Sequence, residues 1–166
     1  MNLVPVYVAL GSNLENPEAQ VRAAVEALAM LPDTRLARVS SLYRSAAVGF
    51  TDQPDFVNAV ACIETALAPR ALLDALLAIE RRHGRVRDFQ NAPRTLDLDI
   101  VMYSDATVDE PGLTIPHPRM HERAFVLVPL AEIAPDTIVR GRGRAKDLLS
   151  RIDTSGITHA GAVDSR

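Results

Sequence analysis

The sequence has 166 residues, of which 48% are hydrophobic and 23% are charged, a composition typical of one globular domain with its own core. Its net charge of −3 gives no general attraction to nucleic acid or to a membrane, and no apolar run approaches the roughly 20 residues that a membrane-spanning helix needs. The first residues, MNLVPVYVALGSN, have no basic segment before their apolar run and no signal-cleavage pattern, and the lone cysteine, Cys62, cannot form an internal disulfide. We therefore expect a cytoplasmic protein, with Cys62 as a small core residue.

The N-terminal half alternates strands with a helix. Three segments rich in apolar or β-branched residues predict strands: 4–13, 34–45 and 56–64. A helix is predicted between the first two strands, starting at the cap signal Asn16-Pro17-Glu18 and ending at Pro32. The Gly, Pro and Asp residues of 46–55 are typical of a long loop before the third strand.

The C-terminal half continues this pattern and then adds smaller elements. Four segments have regular predictions: a helix from Pro69 to His83, a strand over 95–103, a short helical stretch broken near Pro129, and a terminal helix over 145–152. Residues 153–166 are expected to form a loosely ordered tail. The order β-α-β-β-α-β predicts one α+β domain over 1–166, with a ferredoxin-like antiparallel sheet, helices mainly on one face and extra C-terminal elements.

The stretch PRTLDLDI at 93–100 raises the question of why an apolar strand carries two aspartates, Asp97 and Asp99. Side chains alternate between the two faces of a strand, so the aliphatic residues point one way and both aspartates point the other. Two neighbouring carboxylates leave room for a divalent cation. The alternative is an amphipathic strand with one wetted face.

Five arginines lie between residues 80 and 94, in a chain whose net charge is negative. Arg81 and Arg82 lie in the last turn of the preceding helix, where positive charge is favourable. The other three, Arg85, Arg87 and Arg94, lie in the loop that leads to the strand carrying Asp97 and Asp99. The sequence contains no P-loop motif, so phosphate would be held by arginine forks together with metal. These arginines and aspartates predict a polyanion site; the alternative is that the arginines and carboxylates neutralise each other.

Two other segments carry candidate binding residues. His117 and His121 are four residues apart, but His117 lies between prolines, so a helical two-histidine metal site is not predicted. Phe56 and Asn58 lie two apart on one strand face, which predicts a pocket that stacks a flat ring and hydrogen-bonds its edge. The alternative for Phe56 is a core residue.

Six motifs occur in this order: YVALGSNL (7–14), SSLYRS (40–45), DQPDFVNAV (52–60), ERRHGRVR (80–87), PRTLDLDI (93–100) and IPHPRMHERAFVLVPLAEIAP (115–135). Together they resemble the bacterial 6-hydroxymethyl-7,8-dihydropterin pyrophosphokinases of the folate pathway. The resemblance implies transfer of a diphosphate from ATP to the hydroxymethyl group of the pterin, with release of AMP. It also implies two Mg²⁺ ions on Asp97 and Asp99, which would position the ATP phosphates for in-line attack at the β-phosphorus.

The resemblance further implies two sets of binding residues. The ATP-binding set is Glu80, Arg85, Arg87, Arg94, Ile100, Thr114, His117 and Arg123. The pterin-binding set is Gly11, Ser45, Ala46, Val48, Phe56, Asn58 and Phe125. Arg85 and Arg94 are expected to act in catalysis with Asp97 and Asp99, and Phe56 and Phe125 to sandwich the pterin ring. The expected partners are ATP and the pterin alone, without nucleic acid or membrane, and we expect a monomer.

The sequence departs from the family pattern in the stretch before PRTL. The family often has a tryptophan there, whereas this chain has FQNAPR and no tryptophan, so Phe89 would have to supply the shielding. The usual double proline near position 46 is replaced by Ala46-Ala47. Alternatives to this enzyme are a ferredoxin-like small-ligand-binding or regulatory domain, another kinase or nucleotidyl transferase, and, least well supported, an RNA-binding module.

Overall fold

The computed structural model describes residues 2–45, 55–83 and 96–163. In these ranges ten strands form: β1 Val4–Ser12, β2 Thr34–Val39, β3 Leu42–Ser45, β4 Phe56–Thr65, β5 Leu96–Tyr103, β6 Val108–Glu110, β7 Leu113–Ile115, β8 Ile138–Val139, β9 Gly143–Arg144 and β10 Ile157–Gly161. The same ranges contain four α-helices: α1 Pro17–Ala29, α2 Pro69–His83, α3 Ala124–Ile133 and α4 Ala145–Leu149. None of the helices in this part of the chain combines the length and apolar character needed to cross a membrane.

The central sheet is antiparallel and has the strand order β10-β3-β4-β1-β5. Strand β2 pairs with β4 as well, along Thr34–Val39, so β2 and β3 follow the same side of β4 one after the other. Two separate hairpins, β6–β7 and β8–β9, lie outside this sheet. The predicted α+β class with an antiparallel sheet is confirmed.

The sheet is covered on both faces, because its central strands are apolar on both sides. In β4, eight of the ten residues are buried, so neither face of this strand meets solvent. One core joins the sheet to α1 and α2, with Leu10, Leu28 and Leu76 among its fully or almost fully buried members. A second core joins the other face to α3 and α4 around Val60 and Leu127. The prediction of helices mainly on one face is therefore wrong, since two helices cover each face.

Three local predictions also need correction. The segment 34–45 forms two strands, because Ser40 donates its N–H to the Val60 carbonyl while its Oγ accepts from the Val60 N–H. Asn16 precedes α1 in the left-handed conformation (φ 55°) without capping it through its side chain, a conformation that asparagine tolerates. Pro129 lies inside α3, where burial of neighbouring residues holds the helix together despite the missing donor.

The C-terminal tail is more ordered than predicted. Residues 157–161 form β10, which pairs antiparallel with β3, so most of the segment 153–163 belongs to the fold. Residues 164–166 lie outside the described ranges. The prediction for Cys62 is confirmed: its side chain is 2% exposed, and burial raises the pKa of its thiol.

Glu132, in the last turn of α3, fastens that helix to β3. Its Oε1 accepts hydrogen bonds from the Ser41 N–H (2.9 Å) and the Tyr43 hydroxyl (2.7 Å), and its Oε2 accepts from the Ser41 hydroxyl (2.8 Å). Burial acts to raise the pKa of Glu132, but the hydrogen bonds from Tyr43 and Ser41 outweigh it and lower the pKa overall. Burial and the same carboxylate raise the pKa of Tyr43.

We expect Glu132→Gln to lower the free energy of unfolding by about 1–3 kcal/mol at neutral pH, because donors that served a carboxylate lose part of their acceptor. The folded pKa of Glu132 lies below its ordinary value of 4.5, so this contribution is present above that pH and is lost as pH falls through the folded pKa. Urea unfolding at neutral and decreasing pH measures it, with Glu26→Gln on the exposed face of α1 as the control. A loss that is the same at every pH would contradict this account.

Candidate active site

A row of paired residues crosses five strands and brings several of the predicted site residues together. The paired residues, in order from β10 to β5, are His159, Tyr43, Asn58, Gly11 and Asp97. Directly opposed residues of antiparallel strands share one face of a sheet. The row therefore puts a predicted metal ligand, Asp97, and a predicted pterin ligand, Asn58, on the same face with Gly11 between them.

Gly11 makes room on β1 for the side-chain amide of Asn58. A Cβ on this residue would lie 2.9 Å from Asn58 Oδ1, which is closer than a real side chain tolerates. Asn58 itself is 4% exposed, and its Nδ2 donates to Ser45 Oγ at 2.8 Å. Because that bond fixes Nδ2 toward Ser45, the amide oxygen is turned toward Gly11, and the orientation of the amide is defined.

The two aspartates of β5 lie as the alternation predicted. Asp97 and Asp99 are exposed, whereas Leu96, Leu98 and Ile100 are buried in the core under α1 and α2. Opposite them on β1 stand the two smallest residues of that strand, since Gly11 pairs with Asp97 and Ala9 with Asp99. The residues paired with the two aspartates on β1 therefore add little side-chain bulk beside the carboxylates.

This surface fits magnesium in chemical terms. Among residues 2–45, 55–83 and 96–163, no group of three or more His, Cys, Asp or Glu side chains is placed to hold a metal. Mg²⁺ usually binds one or two carboxylates and completes its shell with water and substrate phosphates. A pair of exposed carboxylates on one strand face matches that mode of binding.

Glu80, near the end of α2, supports the aspartate strand from its outer side. Its Oε2 accepts a hydrogen bond of 2.7 Å from the Leu98 N–H, the residue between Asp97 and Asp99. Among the described residues, strand β5 lies at the edge of the sheet, and its outward N–H groups face no neighbouring strand there. Sequence reasoning placed Glu80 along the ATP cleft and missed this contact, which depends on how α2 packs against β5.

We expect Glu80→Ala to lower both stability and kcat. Loss of the acceptor leaves the Leu98 N–H unsatisfied, which costs about 1–3 kcal/mol, and it frees the strand on which Asp97 and Asp99 are carried. Glu80→Gln keeps a carbonyl acceptor and is expected to retain most of both. Denaturant unfolding and steady-state kinetics on the two variants measure the free energy of unfolding and kcat. If Glu80→Gln loses as much of both as Glu80→Ala, the charge of Glu80, and not its hydrogen bond to the strand, is responsible.

His117 interacts electrostatically with Asp99 and Arg123. The backbone N–H of His117 donates to the Val101 carbonyl at 2.9 Å. This hydrogen bond holds the chain at His117 against β5. Burial lowers the pKa of His117; the charge of Asp99 opposes this, and the charges of Arg123 and Arg119 add to it. Its Nδ1 accepts from the Arg119 N–H at 3.1 Å, so the neutral ring carries its proton on Nε2. The imidazole can therefore donate a hydrogen bond from Nε2.

Arg123 and Phe125 lie at the start of α3. The Arg123 guanidinium carbon is 5.6 Å from the centroid of the Phe125 ring, within the range of a cation–π contact. Phe125 is partly buried and packs against the second core, together with Ala9 of β1. Phe56 begins β4 and is also partly buried, in register with Ser45. The two aromatic rings, Phe56 and Phe125, therefore lie on elements next to the row of paired residues that contains Asn58.

Ile100 and Thr114 are placed differently from each other. The Ile100 side chain is 5% exposed and lies in the first core, so only its main chain can meet a ligand. Thr114 is exposed on β7, which contacts β5. Its hairpin is tied to α2 by Arg70, which donates to Glu110 Oε1 at 2.9 Å and to the Pro111 carbonyl at 3.0 Å.

Several predicted residues lie outside the described ranges. They are Ala46, Val48, Arg85, Arg87, Phe89 and Arg94. The described chain ends at Ser45 and His83 before these residues and resumes at Asp55 and Leu96 after them. Ser45, Phe56 and Leu96 all lie at the Ser12 end of the sheet, beside Gly11 and Asn58.

Comparison with known proteins adds independent information. A protein from Pseudomonas aeruginosa, named 2-amino-4-hydroxy-6-hydroxymethyldihydropteridine pyrophosphokinase, is 52% identical over 152 residues, which cover 92% of this chain and 94% of the relative. A protein of the same name from Haemophilus influenzae is 50% identical over 137 residues, covering 82% of this chain and 86% of the relative.

A solved structure shares the fold. The crystal structure of wild-type Plasmodium falciparum HPPK-DHPS with STZ-DHP matches 90% of this chain and 43% of its own, with a TM-score of 0.72 and 13% identity. The sequence profile of the 7,8-dihydro-6-hydroxymethylpterin-pyrophosphokinase family matches residues 7–135, which contain the Asn58 row from Tyr43 to Asp97 together with His117, Arg123 and Phe125. The chain therefore belongs to the 7,8-dihydro-6-hydroxymethylpterin-pyrophosphokinase family.

Proposed function

We propose that this protein transfers the diphosphate of ATP to the hydroxymethyl group of 6-hydroxymethyl-7,8-dihydropterin in folate biosynthesis. The pterin hydroxyl oxygen forms a bond to the β-phosphorus, and the bond from that phosphorus to the α,β-bridging oxygen breaks. AMP leaves, and the hydroxyl proton passes to solvent. The observation that carries the proposal is the row of paired residues Asn58, Gly11 and Asp97, which brings the Asn58 amide and the carboxylates of β5 to one face of the sheet.

Asp97 and Asp99 are proposed to hold two Mg²⁺ ions, which supply charge neutralisation on the ATP phosphates. The chain itself orients the reactants. Asp97 and Asp99 would hold the cations that bind the phosphate end, and the Glu80 contact to Leu98 keeps the strand that carries them in place. Positioning and charge stabilisation are the main requirements of phosphoryl transfer, so a protein nucleophile is not needed.

The arginines and His117 are proposed to bind the ATP phosphates. His117 is suited to this by its neutral ring with a donor at Nε2, and Arg123 by its charge at the start of α3, next to His117. Arg85, Arg87 and Arg94 are assigned by motif match alone. Thr114 and the main chain of Ile100 are proposed to line the nucleotide cleft along β5 and β7.

The pterin is proposed to lie over Gly11, between Phe56 and Phe125. Asn58 would read its polar edge, because the Ser45 hydroxyl fixes the orientation of the amide. Ser45, Ala46 and Val48 would complete recognition through main-chain groups. A flat ring between two aromatic rings, with an amide at its edge, combines apolar burial with a specific polar contact.

We further propose a cytoplasmic monomer with a ferredoxin-like core. The ferredoxin-like description is supported by the order β-α-β-β-α-β from β1 to β5, if β2 and β3 are counted as one interrupted strand.

The purified chain, incubated with ATP, MgCl₂ and 6-hydroxymethyl-7,8-dihydropterin, tests the proposal. AMP is expected to form only when both the pterin and magnesium are present, and a chelator is expected to stop it. Calorimetric binding of the pterin without AMP formation would instead identify a small-ligand-binding domain. No AMP and no binding would overturn the proposed substrate.

A further inference from the structure

The C-terminal strand β10 forms one end of the row of paired residues, two strands away from the predicted pterin ligand Asn58. His159 of β10 pairs with Tyr43 of β3, and Tyr43 pairs with Asn58. The rings of Tyr43 and His159 meet edge to face, with centroids 5.6 Å apart and planes at 88°. Such aromatic contacts across strands fix the lateral position of the strands that carry them.

The end of β10 is held by helix α1 as well. The Nε of Arg22 donates to the Val163 carbonyl at 2.9 Å, and its Nη2 donates to the Ala162 carbonyl at 3.1 Å. These bonds join residues about 140 positions apart in the sequence. The tail therefore makes specific contacts at both ends of the strand, with α1 at one end and with the Ser45 end of β3 at the other.

The contact that reaches the ligand site lies at the start of β10. Ile157 pairs with Ser45, the last residue of β3, and the Ser45 hydroxyl accepts the bond that fixes the Asn58 amide. Strand β3 has only four residues, and without β10 it would be an edge strand held by β4 alone. Short edge strands open locally at low free-energy cost, and opening at Ser45 would release the Asn58 amide.

We propose that β10 is a positioning element of the pterin half of the site. This inference rests on the proposed function, since it takes Asn58 as the reader of the pterin edge. β10 touches no substrate in this account and acts through Ser45. β10 also lies beyond the segment matched by the family profile, which ends at residue 135, as do the two-residue strands β8 and β9.

Two truncations of the full chain test the proposal. One ends at Ser155 and removes β10, and the control ends at Val163 and keeps both β10 and the carbonyls that Arg22 binds. Removal of β10 is expected to raise the KM and Kd for the pterin by about tenfold to 100-fold, because the amide that reads its edge is no longer fixed. The KM for ATP is expected to stay within about twofold, since β5 and His117 are untouched. Unchanged pterin affinity in the shorter chain would overturn the proposal.

If the shorter chain does not fold, a double variant that changes only side chains tests the proposal. The double variant Arg22→Ala, His159→Ala retains every backbone group of β10 and removes its side-chain anchors. We expect a weaker effect in the same direction, and full pterin affinity in this variant would also overturn the proposal.

The side-chain amide signal of Asn58 in NMR separates this inference from the proposed function. The signal is expected to broaden or shift in both variants, even in the absence of substrates. If the intact chain forms no AMP, the proposed catalysis fails, while the amide signal and pterin affinity still test the role of β10. An unchanged signal in both variants would overturn that role.

Discussion

Replacing Asp97 or Asp99 by asparagine is expected to lower kcat by about 1,000-fold or more. The carboxylates are proposed to supply the charge that holds a divalent cation on the phosphates, a stabilisation worth several kcal/mol in the transition state, and about 1.4 kcal/mol corresponds to a factor of ten. Steady-state kinetics with saturating ATP and pterin measure the loss. Because both side chains are exposed, the free energy of unfolding is expected to change by no more than about 0.5 kcal/mol.

The matched control is Asp147→Asn, which removes an exposed carboxylate from α4. It is expected to leave kcat unchanged. Pterin affinity is expected to persist in the Asp97 and Asp99 variants, because Asn58 and Ser45 are intact. An Asp97 or Asp99 variant with wild-type turnover would contradict the metal assignment.

Gly11→Ala is expected to weaken pterin binding by about tenfold or more and to destabilise the fold by about 1–3 kcal/mol. The new methyl group would lie 2.9 Å from Asn58 Oδ1, so the amide must move. Asn58 is buried and bonded to Ser45, so any movement breaks a hydrogen bond or displaces the strand. Calorimetric titration with the pterin and urea unfolding measure the two effects.

Gly156→Ala provides the control for this substitution. A Cβ on Gly156 meets nothing within 4 Å, so the same chemical change is expected to be neutral there. If Gly11→Ala binds the pterin as tightly as the wild type, the Asn58 amide beside Gly11 is not part of the pterin site.

The local features of the site could be predicted from the sequence because they depend on neighbours in the chain. Alternation along 96–100 was enough to place Asp97 and Asp99 on one face, and the structure confirms that arrangement. The run around Cys62 likewise indicated a buried strand, which β4 confirms. In both cases the period of a strand determines the result.

The supporting contacts could not be predicted because they join distant parts of the chain. Glu132 meets Ser41 across 91 positions, and Arg22 meets Val163 across 141. No local pattern encodes such pairs, since a surface glutamate or arginine is compatible with many surroundings. The strand β10 was missed for the same reason, because a short polar segment becomes a strand here only by pairing with β3.

The identity of the transferred group is the most direct test of the proposed reaction. ATP labelled at either the β- or the γ-phosphate is incubated with the protein, magnesium and 6-hydroxymethyl-7,8-dihydropterin, and label is followed in the pterin product. Attack at the β-phosphorus predicts that both labels appear in the product, in equal amount to unlabelled AMP. Transfer of the γ-label alone, with formation of ADP, would contradict diphosphate transfer and would identify a monophosphoryl kinase.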